Sequence, residues 1–181
     1  MTTQKHNDTD RSAVMIRIEE LVPQARFSLR VRSERARVLS ESLGLALPVR
    51  IGSVERKGEV EALCLGPDEW CVLAPDKRRD ALIEASRAAY AKIPHAFCDV
   101  SDREVVLRLS GPEALTALTT GIARDIESME VGSAARTAFD TATVILWRDD
   151  ENSFRMDVWR SFLPHVRALL DLAQAEFAAG L

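Results

Sequence analysis

From Ala25 onward, apolar and polar positions alternate in short, well-separated runs. Phe27, Leu29 and Val31 alternate with Ser28 and Arg30, the two-residue period of a strand with one buried face. Ser33 is the expected N-cap of a helix with Ala36, Leu39 and Leu43 on one face, and Gly44 stands where a left-handed C-terminal cap belongs. Glu59 to Leu65 reads as a strand, Gly66-Pro67-Asp68-Glu69 as a turn, and Trp70 to Ala74 as the returning strand. Asp76 is expected to cap a helix carrying Leu82, Ile83, Ala89 and Tyr90. That helix ends before Pro94, because the residue ahead of a proline disfavours helical backbone.

The same order then recurs. Val105, Leu107 and Leu109 form a strand, Ser110-Gly111-Pro112-Glu113 has the spacing of a capping box, and Leu115, Leu118 and Ile122 mark its helix. Thr137 to Trp147 supplies one or two strands, Asp149-Asp150-Glu151-Asn152 a polar turn, and Phe154, Met156 and Val158 a returning strand. A last helix starts at Ser161, with Pro164 in its first turn and Val166, Leu169, Leu170, Ala173 and Phe177 as its apolar face. The two series align at a shift of about 78 to 84 residues: Leu29 falls near Leu107, Leu39 near Leu118, Trp70 near Phe154, and Leu82 near Val166.

This pattern predicts an α+β fold of two similar halves, each strand–helix–strands–helix. Turns this short require antiparallel sheets, with helices packed on one face of each sheet and a core shared between the halves. The expected organisation is a flexible N-terminal segment over 1–24, its first dozen residues disordered, and a single compact domain over 25–181. That domain consists of two pseudo-repeats, about 25–92 and about 104–177.

Composition narrows the function classes. At 181 residues and 46% hydrophobic, the chain can bury a core without a disulfide or metal staple. Its 24 Lys and Arg against 28 Asp and Glu, a net charge of -4, lack the basic excess of a nucleic-acid binder or a polybasic membrane contact. No apolar run approaches the roughly 20 residues that span a bilayer. The polar start is followed by no apolar signal region, so a cytoplasmic location is expected. Three cysteines, Cys64, Cys71 and Cys98, each in an apolar stretch, are expected to be reduced and buried.

Candidate chemistry is sparse. His95 and Cys98 have half the spacing of a metal site, but a structural zinc needs four ligands and the others (Cys64, Cys71, His6, His165) are scattered. A buried thiol beside an exposed imidazole is the plainer reading. The polar cluster Cys98-Asp99-Val100-Ser101-Asp102-Arg103 offers a Cys or Ser nucleophile, with only the distant His165 as a base and no Gly-x-Ser-x-Gly elbow. Its structural reading is a corner where Asp99 and Ser101 bond local backbone and Arg103 pairs with a carboxylate. Eight glycines form no phosphate-cradling fingerprint, and Gly132 reads as a turn into the next strand. No catalytic, cofactor-binding or metal residue is therefore expected. Trp70, Trp147 and Trp159 all fall on strands or strand ends, where core packing is the plain role. Trp159 and Arg160 end the last strand and Arg103 stands at the corner between the halves. These three are the candidate partner contacts, since Trp and Arg anchor interfaces.

An ordered set of short motifs adds a family resemblance. Leu65-Gly66-Pro67-Asp68-Glu69-Trp70, Asp99-Val100-Ser101 with Arg103, and Leu107-Arg108-Leu109-Ser110-Gly111-Pro112 are followed by Arg136-Thr137, Leu146-Trp147-Arg148 and Arg160-Ser161-Phe162. From about Ala25 to Ala173 the chain resembles the gamma subunit of heterotetrameric sarcosine oxidase. Its second half is similar, more remotely, to the folate-binding domain of glycine-cleavage aminomethyltransferase. There the connection of a strand pair carries a Gly-Gly and an Asp-Asp pair, and one aspartate serves the folate-dependent chemistry; the corresponding Ala138 to Ile145 has neither pair, and Asp140 matches no catalytic position.

The resemblance implies a non-catalytic subunit that docks on an alpha subunit. The FAD, FMN, NAD, tetrahydrofolate and zinc of the complex would reside in other chains, which oxidise sarcosine to glycine. Two rival readings are a free-standing folate or one-carbon-binding protein and a structural module for another partner.

Overall fold

Antiparallel pairing organises the chain into two five-stranded sheets in the computed structural model, which describes residues 15–179. One sheet carries β2 (Ala25–Arg30), β3 (Val54–Lys57), β4 (Val60–Gly66), β5 (Glu69–Ala74) and β6 (Ala96–Asp99), in the order β3-β4-β5-β2-β6. The other carries β1 (Arg17–Glu20), β7 (Glu104–Ser110), β8 (Ala134–Phe139), β9 (Ala142–Asp150) and β10 (Ser153–Trp159), in the order β1-β7-β10-β9-β8. Read from β8, the second order repeats the first, with β1 in the place of β6. In one half the fifth strand follows the sequence unit; in the other it comes from the N-terminal side. Register matches too: Leu29 lies opposite Trp70 as Leu109 lies opposite Phe154, so Leu109 rather than Leu107 answers to Leu29.

Helices α1 (Ser33–Leu43) and α2 (Arg79–Tyr90) cover one face of the first sheet. Their Ala36, Leu39, Leu43, Leu82 and Ala89 pack on Phe27, Leu29, Trp70 and Val72. Helices α3 (Ala114–Thr119) and α4 (Leu163–Ala178) do the same for the second, setting Ala117, Leu118, Val166, Leu170 and Ala173 on Leu107, Leu109, Phe154 and Met156. The opposite faces of the two sheets meet back to back through Leu63, Cys71 and Leu73 against Ala134, Ile145 and Trp147. The halves therefore do not share one core as expected. Each has its own helix–sheet core, and a third, thinner layer joins them, because strand alternation gives every sheet two faces to bury.

Further local expectations change. The expected flexible segment over 1–24 does not extend through residues 15–24: β1 pairs along β7 and Ile16 is buried in the second core. The dozen residues expected to be disordered lie outside the described residues. Ser33 and Asp76 make no side-chain cap to backbone, and Asp76 bonds the Arg79 guanidinium instead. The Ser110–Glu113 capping box does not form either. Gly111 has φ +123°, and a Cβ there would meet the Met15 carbonyl oxygen at 2.6 Å, so the residues entering β1 pass where the box would close. The Glu113 N–H donates to that same carbonyl. Gly44 does cap α1 in the left-handed conformation, φ +64°.

Candidate functional site

Strand alternation that places leucines toward the helices aims β2 Arg26, β10 Asp157 and β7 Glu104 into the layer between the sheets. All three are buried, with side chains 4%, 1% and 3% exposed. Arg26 Nη1 donates to Asp157 Oδ2 at 2.9 Å and lies 2.8 Å from Glu104 Oε2, an ionic contact without hydrogen-bond alignment. Trp147 Nε1 also donates to Asp157 Oδ2, while Asp157 Oδ1 and Glu104 Oε2 have no hydrogen-bond partner. Burial works against the Arg26 charge, yet Asp157 foremost, with Cys71 and Glu104, raises its pKa above the usual arginine value. The same burial pushes the Cys71 thiol up to about 12, against the pull of Arg26, so this thiol stays protonated and unreactive.

Three more ion pairs cross between the halves. Arg155 bonds Asp149 through Nε and Nη2 and Glu61 through Nη1 at 3.0 Å, with its guanidinium 4.8 Å from the Trp147 ring centre. Arg136 binds Glu69, which also pairs with Arg30, and Arg50 reaches Glu130 at 2.7 Å. Hydrogen bonding from Arg136 is the largest influence on Glu69 and, against burial, holds its carboxyl below the usual glutamate range. For Glu61, burial is overcome by Arg155 and Arg56, which lower its pKa.

At one end the sheets part, leaving a cavity of about 440 Å³. Leu65, Val100 and Ile145 contribute its apolar lining, Glu104 and Asp157 lie in it as well, and Arg30, Arg103, Arg136 and Trp159 ring the mouth. Two of the three expected contact residues, Arg103 and Trp159, line this cavity; Arg160 does not. Trp159 is 43% exposed, unlike the buried Trp70 and Trp147, and the Arg103 guanidinium lies 5.7 Å from its ring centre. Arg103 also pairs with Glu104 at 2.9 Å, the carboxylate pairing expected of it. Arg160 is exposed, takes the Arg103 carbonyl through its N–H and the Asp102 carbonyl through Nε.

The corner reads as its residue types required. Ser101 Oγ donates to Asp99 Oδ1 and accepts the Arg26 N–H, while its own N–H bonds Asp99. His165, the one distant base considered for it, is engaged with Asp140 at 2.7 Å. At the other candidate pair the expected burial is inverted. Cys98 is exposed, on edge strand β6, whereas His95 is half-buried between the Ser86 hydroxyl and the Ile93 carbonyl. Among the described residues no group of three or more His, Cys, Asp or Glu could hold a metal ion. Sequence reading passed over Arg26, Glu104 and Asp157. Their one available signal was charge at inward strand positions flanked by apolar residues.

Residues 33–176 match the sarcosine oxidase, gamma subunit family. The chain is 33% identical over 146 residues to sarcosine oxidase subunit gamma of Corynebacterium sp. strain U-96, covering 78% of this chain and 69% of that one. It is likewise 34% identical to the strain P-1 subunit over 144 residues, with 78% and 70% covered. Among solved structures it superposes on a chain of heterotetrameric sarcosine oxidase from Corynebacterium sp. U-96 with a TM-score of 0.79 and 29% identity, covering 90% of this chain and 85% of that one. Glycine cleavage system aminomethyltransferase T from Bartonella henselae shares the fold, with a TM-score of 0.65 and 15% identity over 87% of this chain and 45% of that one. With its two sheets, its helix placement and its sequence agreeing along most of its length, the chain belongs to the sarcosine oxidase gamma subunit family.

Proposed function

We propose that this chain is the gamma subunit of a heterotetrameric sarcosine oxidase and acts by docking rather than by catalysis. Its match along 90% of its length to a chain of such an assembly is the observation that carries the reading. Arg103 and Trp159 at the cavity mouth, with the adjoining Arg160, supply the contact with the alpha subunit. FAD, FMN, NAD, the tetrahydrofolate site and zinc belong to the other subunits, whose one-carbon chemistry this chain supports in the cytoplasm. Two features favour that division of labour: Ser101 is locked into local bonds, and Cys71 is held protonated.

The isolated chain should be colourless after gel filtration and form no peroxide from sarcosine. Titration with tetrahydrofolate should leave the tryptophan fluorescence unchanged. Retained flavin absorbance, sarcosine-dependent peroxide or a saturable folate response would each count against the reading.

A further inference from the structure

Further along β7 and β10 from the Glu104–Asp157 pair, a second cavity of about 460 Å³ opens between the two sheets. Three guanidiniums and two carboxylates line it: Arg56, Arg108 and Arg155 against Glu61 and Asp149. Both carboxylates are fully engaged. Arg155 takes both oxygens of Asp149 and one of Glu61, and Arg56 takes the other. Arg108 is left over. It is half-buried and has no hydrogen bond or ion pair among the described residues. Strand register worsens its position, because Arg155 lies directly opposite it on β10, and like charges so placed destabilise a sheet. On its other side β1 sets Glu19 opposite, but that carboxylate pairs with Arg17 at 2.5 Å. The cavity therefore carries one unanswered positive charge. At its lip stands Val22, 84% exposed, an apolar side chain left in water.

We propose that this cavity receives a carboxylate from another subunit of the assembly, an Asp or Glu side chain bound by the Arg108 guanidinium, with an apolar neighbour covering Val22. The charge points to the class of group. The excess is a single positive charge, which a carboxylate cancels and a phosphate dianion overshoots. A planar guanidinium whose N–H groups are all unpaired matches a carboxylate through two parallel bonds, as Arg155 beside it matches Asp149. The exposed Val22 favours a protein over a free small anion, since an ion in the cavity would leave that side chain in water. This rests on the docking reading above and adds to it a contact apart from Arg103 and Trp159.

The test uses the co-expressed complex. A photo-crosslinking benzoylphenylalanine replaces the exposed Val22, and the crosslinked peptide is identified by mass spectrometry. Arg108→Glu reverses the charge, and Val22→Glu places a carboxylate of this chain at the lip, where it takes Arg108 for itself. Both are compared with wild type for co-purification, after thermal melts establish that each is folded. Should Arg108→Glu not fold, Val22→Glu decides alone, because its site lies outside the core. The expected result is a crosslink to one segment of another subunit that contains Asp or Glu, with both variants weakening association by about ten-fold or more. Replacing that acid by Arg should restore the association of Arg108→Glu. An assembled wild-type complex with no crosslink, with a crosslink to a segment lacking acidic residues, or with variants that associate normally overturns the proposal and leaves the docking reading standing. Failure of wild type to co-purify overturns both.

Discussion

The same strands build two kinds of interior on their opposite faces. Toward the helices, Leu29, Leu107, Leu109, Phe154 and Met156 pack in dry layers. Toward the other sheet, Arg26, Glu61, Glu104, Arg155 and Asp157 share the space with Trp147, Ile145 and Leu63. The contrast separates two tasks. Apolar burial makes each half stable, roughly 25 cal/mol per Å² removed from water, and is indifferent to orientation. The ion pairs are directional, and five of them join residues of different halves. Paired charges in a buried layer add little net stability, but removing one partner leaves the other stranded.

The most severe break in this comparison should be Arg26→Met, which leaves Asp157 and Glu104 buried without their cation. A loss of about 3–5 kcal/mol is expected in urea titrations. Combining it with Asp157→Leu and Glu104→Leu should recover much of that loss if the network mainly orients the sheets. Leu170→Ala, in the helix–sheet core, should cost about 2–5 kcal/mol and resist such rescue, because it leaves a cavity. Gly111→Ala should cost about 1–3 kcal/mol and release β1 first, seen as early hydrogen exchange at Ile18 and Glu20, since its φ is open to glycine alone.

Acid should act selectively on the inter-sheet layer. Glu61 and Glu69 have lowered folded-state pKa values, so the stability they contribute is complete above the unfolded glutamate value of about 4.3. It is lost as the pH falls through the lower folded values. Arg155→Ala should flatten the acid limb of a stability–pH profile, whereas Leu170→Ala should shift the profile down without changing its slope. The smallest stability effect is expected at Trp159→Ala, within about 0.5 kcal/mol by thermal melt, because the ring stands largely outside the core. Its association with partner subunits should nonetheless weaken by about 1–3 kcal/mol.

The two interiors also differ in how far the sequence reveals them. The helix-facing layers were legible because period-2 strands and period-3.6 helices leave apolar residues at fixed intervals, as with Phe27 and Leu29 under Leu39, or Leu109 under Leu170. The inter-sheet layer was not. Arg26 and Asp157 look like solvent-facing residues in an alternating strand, and only the back-to-back sheets turn them inward. The edge strand β1 was missed for a related reason: Arg17, Glu19 and Glu20 are polar, and only Ile16 and Ile18 anchor it to the core. Ser110–Glu113 misled because cap chemistry is local, while the approach of Met15 to Gly111 is a contact across the fold. The gathering of Arg103, Trp159 and Arg160 was foreshadowed by their positions at a corner and a strand end. The cavity that Arg103 and Trp159 border required the meeting of two sheets.

Docking of this chain into a sarcosine oxidase assembly can be followed by co-expressing it, affinity-tagged, with the flavin-bearing subunits. The tagged chain is predicted to retain them through affinity and gel-filtration steps as one yellow complex that oxidises sarcosine. A tagged chain that elutes alone and colourless, while the remaining subunits assemble into an active oxidase without it, would contradict the account.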